Sequence, residues 1–173
     1  MTSILSTAAL SLAAITASVT PAMAAEAATG KATFLGTKGE DVGTAALKGT
    51  PGGVFINVEI KGLPANQWVA FHVHETGSCD YHTGHDSAGG HFNPAKAEHG
   101  YDAAKGPHAG DMPNQYVGAD GVLHAQVFNS LVKLDKSETG ILGRALMIHA
   151  GKDDYKTQPT GDAGKRLACA VIE

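Results

Sequence analysis

A long polar stretch, residues 75–112, places the strongest constraint on the fold of this chain. It contains many Gly, His and Asp residues and almost no periodic apolar positions, so it has the pattern of neither a helix nor a strand. A loop of this length inside a compact domain is usually functional. Because it has too few apolar residues to order itself by burial, a metal ion that ties distant points together gives a physical reason for its order.

The segments on either side of this loop have the pattern of short β-strands. Residues 54–60 are apolar at every second position, which predicts a strand with one buried face. Residues 68–74 are predicted to form one strand that leads into the loop. Further strands are predicted at 31–35, 42–47, 123–128, 145–149 and 167–172. We therefore expect an all-β sandwich or Greek-key barrel whose loops carry the chemistry.

Length and charge limit the number of domains and the kinds of partner. The 173 residues, 43% of them hydrophobic, can build one substantial core, so we expect one domain. The formal net charge of -4, with no basic block, predicts no nucleic-acid or membrane partner. A few Lys or Arg residues around one cleft can still attract an anion against this acidic average.

The N-terminal segment has the pattern of a signal peptide. Residues 1–24 carry no charge and include an apolar stretch at 8–19, followed by a small-x-small site that ends at Ala24. We predict cleavage after Ala24, which leaves residues 25–173 as the mature domain of a periplasmic protein. A buried apolar helix is the alternative.

Cys79 and Cys169 are the two cysteines of the chain. An even pair in an exported protein predicts one disulfide in an oxidising compartment, with two free thiols as the alternative.

Histidines stand where a metal site would need them. On a strand, His72 and His74 would point from the same face, although a solvated pair has the same spacing. His149 ends another apolar strand and, taken alone, would be interpreted as a core histidine. The loop supplies four more candidate ligands: His91, His99, His108 and Asp111. The seven groups divide into an imidazole-only set that suits copper and a set with one carboxylate that suits zinc.

Four segments, taken in order, resemble signature segments of the copper-zinc superoxide dismutases. They are Phe71-His-Val-His74, Ala88-Gly-Gly-His-Phe-Asn-Pro94, Gly143-Arg-Ala-Leu-Met-Ile-His149 and Gly164-Lys-Arg-Leu-Ala-Cys169. The resemblance covers residues 31–173, and residues 150–155 look like the bacterial branch. It implies an eight-stranded, immunoglobulin-like Greek-key β-barrel with long metal-binding and electrostatic loops. It also implies an enzyme that converts superoxide to dioxygen and hydrogen peroxide.

The resemblance implies a role for each site residue. Copper would be held by His72, His74, His91 and His149, and zinc by His91, His99, His108 and Asp111. His91 would be a catalytic residue that bridges the two metals as an imidazolate and takes up a proton when copper is reduced. Arg166 would attract and orient superoxide, and Asp153 would link His99 with either His72 or His74. Cys79 and Cys169 would form the family disulfide, and we expect a homodimer.

Some residues fall outside the family pattern. His82 and His85 have no counterpart in it and are predicted to be exposed; an accessory site for metal capture is a second hypothesis for them. Lys152, Lys156 and Lys165 are candidates for steering the substrate, with plain solvation as the alternative.

Two other function classes compete with a dismutase. A copper or zinc carrier on the same barrel would have no need of Arg166 to orient an anion. A disulfide-bonded adhesion module with a structural zinc would leave the imidazole-only set unexplained.

Overall fold

A computed structural model of the protein describes residues 27–173, whose regular secondary structure is almost entirely β-strand. The predicted signal peptide, residues 1–24, lies outside the described residues. Within residues 27–173 no helix is long and apolar enough to span a membrane. Two 3-10 helices, Tyr81–Thr83 and Asp86–Ala88, interrupt the long loop. The strands are β1 (Thr29–Gly36), β2 (Asp41–Thr50), β3 (Gly53–Ile60), β4 (Gln67–Val69), β5 (Phe71–His74), β6 (Gln115–Val117), β7 (Leu123–Asn129), β8 (Ala145–His149) and β9 (Arg166–Val171).

All of these strands pair in antiparallel fashion. Seven form one curled sheet in the order β5-β8-β9-β1-β2-β3-β7, and β4 pairs with β6 in a second, two-stranded sheet. Strand β4 continues into the edge strand β5, and β6 leads through a short turn into β7 at the opposite edge. The small sheet therefore connects the two edges of the large one. This arrangement confirms the predicted all-β, Greek-key barrel fold.

The strand predicted at 68–74 was wrong as a single element, because it is divided at Ala70. The Ala70 N–H donates to the carbonyl of Gly151 (2.8 Å), and its own carbonyl accepts from the His149 N–H (3.0 Å). The chain changes partners at this point, from β6 to β8. Strand β6 was not predicted, since three residues are too few to show an alternating pattern.

The barrel interior and its outer wall have different contents. Phe71 and Val73 of β5 belong to the main hydrophobic core. The intervening histidines face the outer wall, because side chains alternate along a strand. A second, smaller buried cluster lies apart from the core and consists of Ala88, Ala145, Met147 and Cys169. Three of its members lie on β8 and β9, and the fourth, Ala88, comes from the long loop.

A disulfide joins Cys79 in the long loop to Cys169 in β9, which confirms the predicted pairing. The two Cα atoms are 5.5 Å apart and the cysteines are separated by 90 positions in sequence. Cys169 is fully buried and lies opposite Met147 of β8. The disulfide therefore fixes the start of the loop against the wall that carries the histidines.

Replacing both cysteines by serine should lower the free energy of unfolding by about 4 kcal/mol, because a closed loop of this length removes many conformations from the unfolded chain. Denaturant unfolding of the double variant and the wild type, at equal metal content, measures this difference. Reduced wild-type protein is the control and should unfold at the same denaturant concentration as the double variant. Equal midpoints for the oxidised wild type and the double variant would contradict the prediction.

Candidate metal centre

Two segments of the long loop hydrogen-bond to the edge strand β5. The Val73 N–H donates to the Gly110 carbonyl (2.8 Å), and the Phe92 N–H donates to the Val73 carbonyl (2.8 Å). Any side chain at Gly110 would collide with the Val73 carbonyl, so this close approach requires glycine. The pairing places His91 and Asp111, the neighbours of these residues, directly beside the strand.

Four buried imidazoles converge on the outer wall, with ligand atoms that all lie within 4.8 Å of one another: His72, His74, His91 and His149. We call them the imidazole group. His74 Nε2 lies 3.3 Å from His149 Nε2. His74 Nδ1 donates to the Gly89 carbonyl (2.9 Å), and His149 Nδ1 faces the Gly164 carbonyl (3.4 Å). Since these carbonyls can only accept, both Nε2 atoms carry lone pairs, and facing lone pairs suit a shared cation.

Other nitrogens of the cluster are buried without a hydrogen-bond partner. They include His72 Nδ1, His91 Nε2 and His108 Nδ1. A buried polar atom without a partner costs about 1–3 kcal/mol, so several of them in one place need an explanation. Coordination of a metal supplies it, because neutral imidazole nitrogens are metal ligands. The donor set of the imidazole group fits copper.

A second group forms around the carboxylate of Asp111. Its Oδ1 lies 3.0 Å from His91 Nδ1, 3.0 Å from His99 Nδ1 and 3.6 Å from His108 Nδ1. Tetrahedral zinc with bonds of 2.0–2.1 Å separates its ligand atoms by about 3.3 Å. The other oxygen, Oδ2, accepts from the backbone N–H groups of Gly100 (2.8 Å) and His108 (2.9 Å), which fixes the carboxylate. This second group of ligands, three imidazoles and one carboxylate, therefore fits zinc.

Asp153 joins the two groups. Its Oδ2 accepts a hydrogen bond from His72 Nε2 (2.9 Å), and its Oδ1 accepts one from His99 Nε2 (3.0 Å). The structure thus places His72, and not His74, at this carboxylate. Asn114 holds Asp153 in turn. Its side-chain amide accepts from the backbone N–H of Asp153 and donates to the backbone carbonyl of Asp153. Sequence reasoning missed Asn114, because a lone Asn in an irregular segment gives no signal.

Burial and neighbouring imidazoles keep three members of the imidazole group, His74, His91 and His149, neutral. They lower the pKa of His74 to about 2 and that of His149 to about 3. Burial, with the nearby His72, also lowers the pKa of His91 to about 4, although its bond to Asp111 opposes the shift. Neutral imidazole is the form that binds a metal, so these ligands are ready without losing a proton.

The electrostatics around Asp111 and Asp153 are opposite to those of the imidazole group. Burial alone would raise the pKa of Asp111, yet the neighbouring imidazoles of His108, His91 and His99 hold it far below the usual range. Burial likewise opposes ionisation of Asp153, and bonds from His72 and His99 keep its pKa low. Burial would lower the pKa of His99, but the two carboxylates raise it to about 9. Both acids are therefore anionic and attract a cation.

Arg166 lies next to the imidazole group, because it pairs with His149 across strands β8 and β9. Its Nη1 donates to the carbonyl of His85 (2.8 Å), and its Nη2 donates to the carbonyl of Gly89 (2.8 Å). The same Gly89 carbonyl accepts from His74 Nδ1, so one backbone atom positions both the guanidinium and an imidazole. These bonds fix a cation at the edge of the site.

The prediction that His82 and His85 are both exposed was wrong for His85. Its ring is 0% exposed, whereas His82 is exposed. His85 has a left-handed backbone (φ 65°), and its burial lowers its pKa. Within residues 27–173 neither histidine belongs to a cluster of three or more ligating groups, so this geometry does not favour an accessory metal site. The three candidate steering residues, Lys152, Lys156 and Lys165, are exposed.

Sequence comparison agrees with this geometry. The family model described as copper/zinc superoxide dismutase (SODC) matches residues 41–172. The chain is 50% identical over 145 residues to copper-zinc superoxide dismutase 2 of Aquifex aeolicus, covering 82% of this chain and 84% of the relative. It is 38% identical over 144 residues to the copper-zinc superoxide dismutase of Caulobacter vibrioides, covering 78% and 80% of the two chains.

Solved structures give the same result. The copper/zinc superoxide dismutase from Brucella abortus superposes with a TM-score of 0.67 at 32% identity, covering 86% of this chain and all (100%) of the other. A superoxide dismutase-like protein from Bacillus subtilis superposes with a TM-score of 0.75 at 35% identity, covering 82% and 96%. With its barrel, its two ligand groups and these relatives, the chain belongs to the copper/zinc superoxide dismutase family.

Proposed function

We propose that the two ligand groups and Arg166 together convert two superoxide ions and two protons into dioxygen and hydrogen peroxide. The observation that carries the proposal is the position of the His91 ring. Its Nδ1 lies 3.0 Å from Asp111 Oδ1, while its Nε2 is buried among the other imidazoles without a hydrogen-bond partner. One ring that faces a different donor set with each nitrogen can be shared by two metal ions.

Each metal has a defined set of ligands in this proposal. Copper would be held by the imidazole group, and zinc by His91, His99, His108 and Asp111. When bound, copper supplies one-electron chemistry through its two oxidation states, while zinc is redox-silent. Asp153 is not a ligand of either metal in this proposal. It orients His72 and His99 by accepting hydrogen bonds from their Nε2–H groups.

Arg166 would bind and orient the substrate anion. A guanidinium stays charged and offers several donors in a fixed plane. Two of its nitrogens are engaged by backbone carbonyls, so the head group does not have to be ordered when the anion arrives. A fixed positive charge beside the imidazole group raises the local concentration of superoxide in a protein whose net charge is negative.

His91 would also serve as a proton carrier. Hydrogen peroxide needs two protons that superoxide does not bring, and a buried site offers few atoms that can hold one. His91 Nε2 has no hydrogen-bond partner, so it can hold a proton whenever it is not a ligand. The second proton comes from solvent.

The two competing function classes are not favoured. Relatives at 47% and 50% identity over most of the chain are named as copper-zinc superoxide dismutases. A carrier would leave the fixed guanidinium of Arg166 unexplained, and an adhesion module would leave the imidazole group unexplained.

We also propose that the protein works in the periplasm, with residues 1–24 removed. Support comes from the disulfide between Cys79 and Cys169, since disulfides persist in oxidising compartments, and from the bacterial relatives.

A homodimer is the remaining part of the proposal. Trp68 of β4 is 54% exposed, and Tyr116 of the neighbouring strand β6 is 47% exposed. Their rings lie 5.3 Å apart and form one aromatic surface. Trp and Tyr are the side chains most enriched at the energetic centres of protein interfaces, so this surface supports contact with a second copy.

Protein loaded with copper and zinc should disproportionate superoxide with a kcat/KM of about 10⁹ M⁻¹s⁻¹, since electrostatic attraction brings such enzymes close to the diffusion limit. Pulse radiolysis measures this value, and removal of copper with a chelator should abolish it. Arg166→Gln should keep both metals and lose about tenfold in kcat/KM.

A second readout tests the shared ring without turnover. With cobalt(II) in the place of zinc, magnetic coupling through His91 should quench the electron paramagnetic resonance signal of Cu(II), and His91→Ala should restore it. Loaded, folded protein that shows neither coupling nor dismutation would refute the proposed function.

Asp153→Asn should weaken zinc binding by about 10- to 100-fold, because the amide can no longer accept from both His72 and His99. Competition with a chromophoric chelator measures the affinity. Asp154→Asn is the matched control: this neighbouring carboxylate bonds only Thr157 and the backbone near it, so zinc affinity should stay at the wild-type value. Equal affinities for all three proteins would show that Asp153 does not position the ligands.

Sedimentation at increasing concentration should show a dimer for the wild type and a monomer for Trp68→Ser/Tyr116→Ser. The other exposed aromatic pair, Phe55 and Phe128, provides the control, because its replacement by serine should leave the dimer intact. A monomeric wild type at all concentrations would rule out this part of the proposal.

A further inference from the structure

The head group of Arg166 contacts one short loop segment, residues 85–89. The carbonyls of His85 and Gly89 accept from Nη1 and Nη2, and the carboxylate of Asp86 lies between them in sequence. Asp86 Oδ1 is 3.6 Å from Arg166 Nε. That distance is too long for a hydrogen bond, so the interaction is an electrostatic contact between two charges.

We propose that Asp86 sets the strength with which Arg166 attracts anions, and so limits both superoxide capture and inhibition by other small anions. The Asp86 side chain is 79% exposed, whereas that of Arg166 is 19% exposed. The carboxylate is therefore the more solvent-facing of the two charges and acts on an anion before it reaches the guanidinium. This inference rests on the role proposed for Arg166 above.

Asp86 is held in place although its side chain faces solvent. It begins the 3-10 helix Asp86–Ala88, and Ala88 at the other end of that helix is fully buried. The residue before it, His85, has a fully buried ring. The His85 carbonyl accepts from the Ala88 N–H (3.1 Å) as well as from Arg166. Anchors on both sides thus fix the backbone of Asp86 relative to the guanidinium and keep its short side chain close to Arg166.

The carboxylate of Asp86 repels an incoming anion, whereas the guanidinium of Arg166 attracts it. Asp86 Oδ1 lies 3.6 Å from Arg166 Nε, so its negative charge acts directly on the guanidinium. Burial lowers the pKa of Arg166, and this charge opposes that shift. The same charge repels superoxide. In exposed surroundings a single charge a few ångströms away changes binding by about two- to fivefold at low salt, and by much less once salt screens it.

The test is Asp86→Asn, which removes the charge and keeps the shape. In the copper- and zinc-loaded protein the dissociation constant of azide, read from the absorption of Cu(II), should fall by about two- to fivefold below 0.1 M ionic strength. The kcat/KM for superoxide should rise by a similar factor. The differences between variant and wild type in azide binding and in kcat/KM should both vanish at about 1 M salt, where the Debye length is roughly 3 Å.

Two further variants make the test specific. Asp86→Glu restores the charge and should return both values toward wild type. Glu138→Gln changes the net charge equally, but Glu138 is exposed in the 131–140 loop, whose Leu134 packs beside Gly30 and Glu173 at the far end of β9. It should have no effect.

Unchanged azide binding in Asp86→Asn, or an equal change in Glu138→Gln, would overturn the proposal. Azide binding needs no turnover, so it tests this inference separately from the proposed function. If Asp86→Asn binds azide more tightly but neither protein dismutes superoxide, the proposed function fails and this inference stands.

Discussion

His91 faces a different donor set with each of its ring nitrogens, and the geometry of the whole site depends on that arrangement. Nδ1 meets the carboxylate of Asp111, and Nε2 lies among the buried imidazoles of β5 and β8. Burying lone pairs and carboxylates this close together is costly, and cations bound between them would offset that cost. Asp153 adds a second link, since it bonds one histidine of each group. The two groups therefore act as one unit, and a change in either reaches the other.

A loop that carries such a site must be held by more than its own contacts, because it has little apolar surface to bury. Three attachments do this: the disulfide at Cys79, the backbone pairing of Phe92 and Gly110 with β5, and the hydrogen bonds of Asp153 from the last long connection. The first two join the loop to strands of the barrel, and Asp153 links His99 of the loop to His72 of β5. These attachments and the bound metals thus offset the conformational entropy lost in ordering the loop, in place of apolar burial along its length.

The ligand residues could be predicted from sequence, including His91, His99, His108 and Asp111 of the irregular loop. The hydrogen-bond partners and the burial that depend on tertiary packing could not. A period of two fixes the common face of His72 and His74, whatever the rest of the fold. The break at Ala70 depends on which strand lies beside it, which no local pattern contains. His85 sits in a polar loop, where the absence of apolar periodicity wrongly predicted exposure. The choice of His72 over His74 as the partner of Asp153 is likewise set by three-dimensional packing.

Charge balance explains why the proton carrier and the shared ring should be the same residue. In the proposed reaction both superoxide ions carry the same charge, and reduction of a bound copper would lower the charge of the site by one. A proton held at His91 Nε2 would restore that charge. Arg166 and Asp86 do not change charge during the cycle. The field that guides the second superoxide ion would then equal the field that guided the first, and neither half of the proposed reaction would be slowed by weaker attraction.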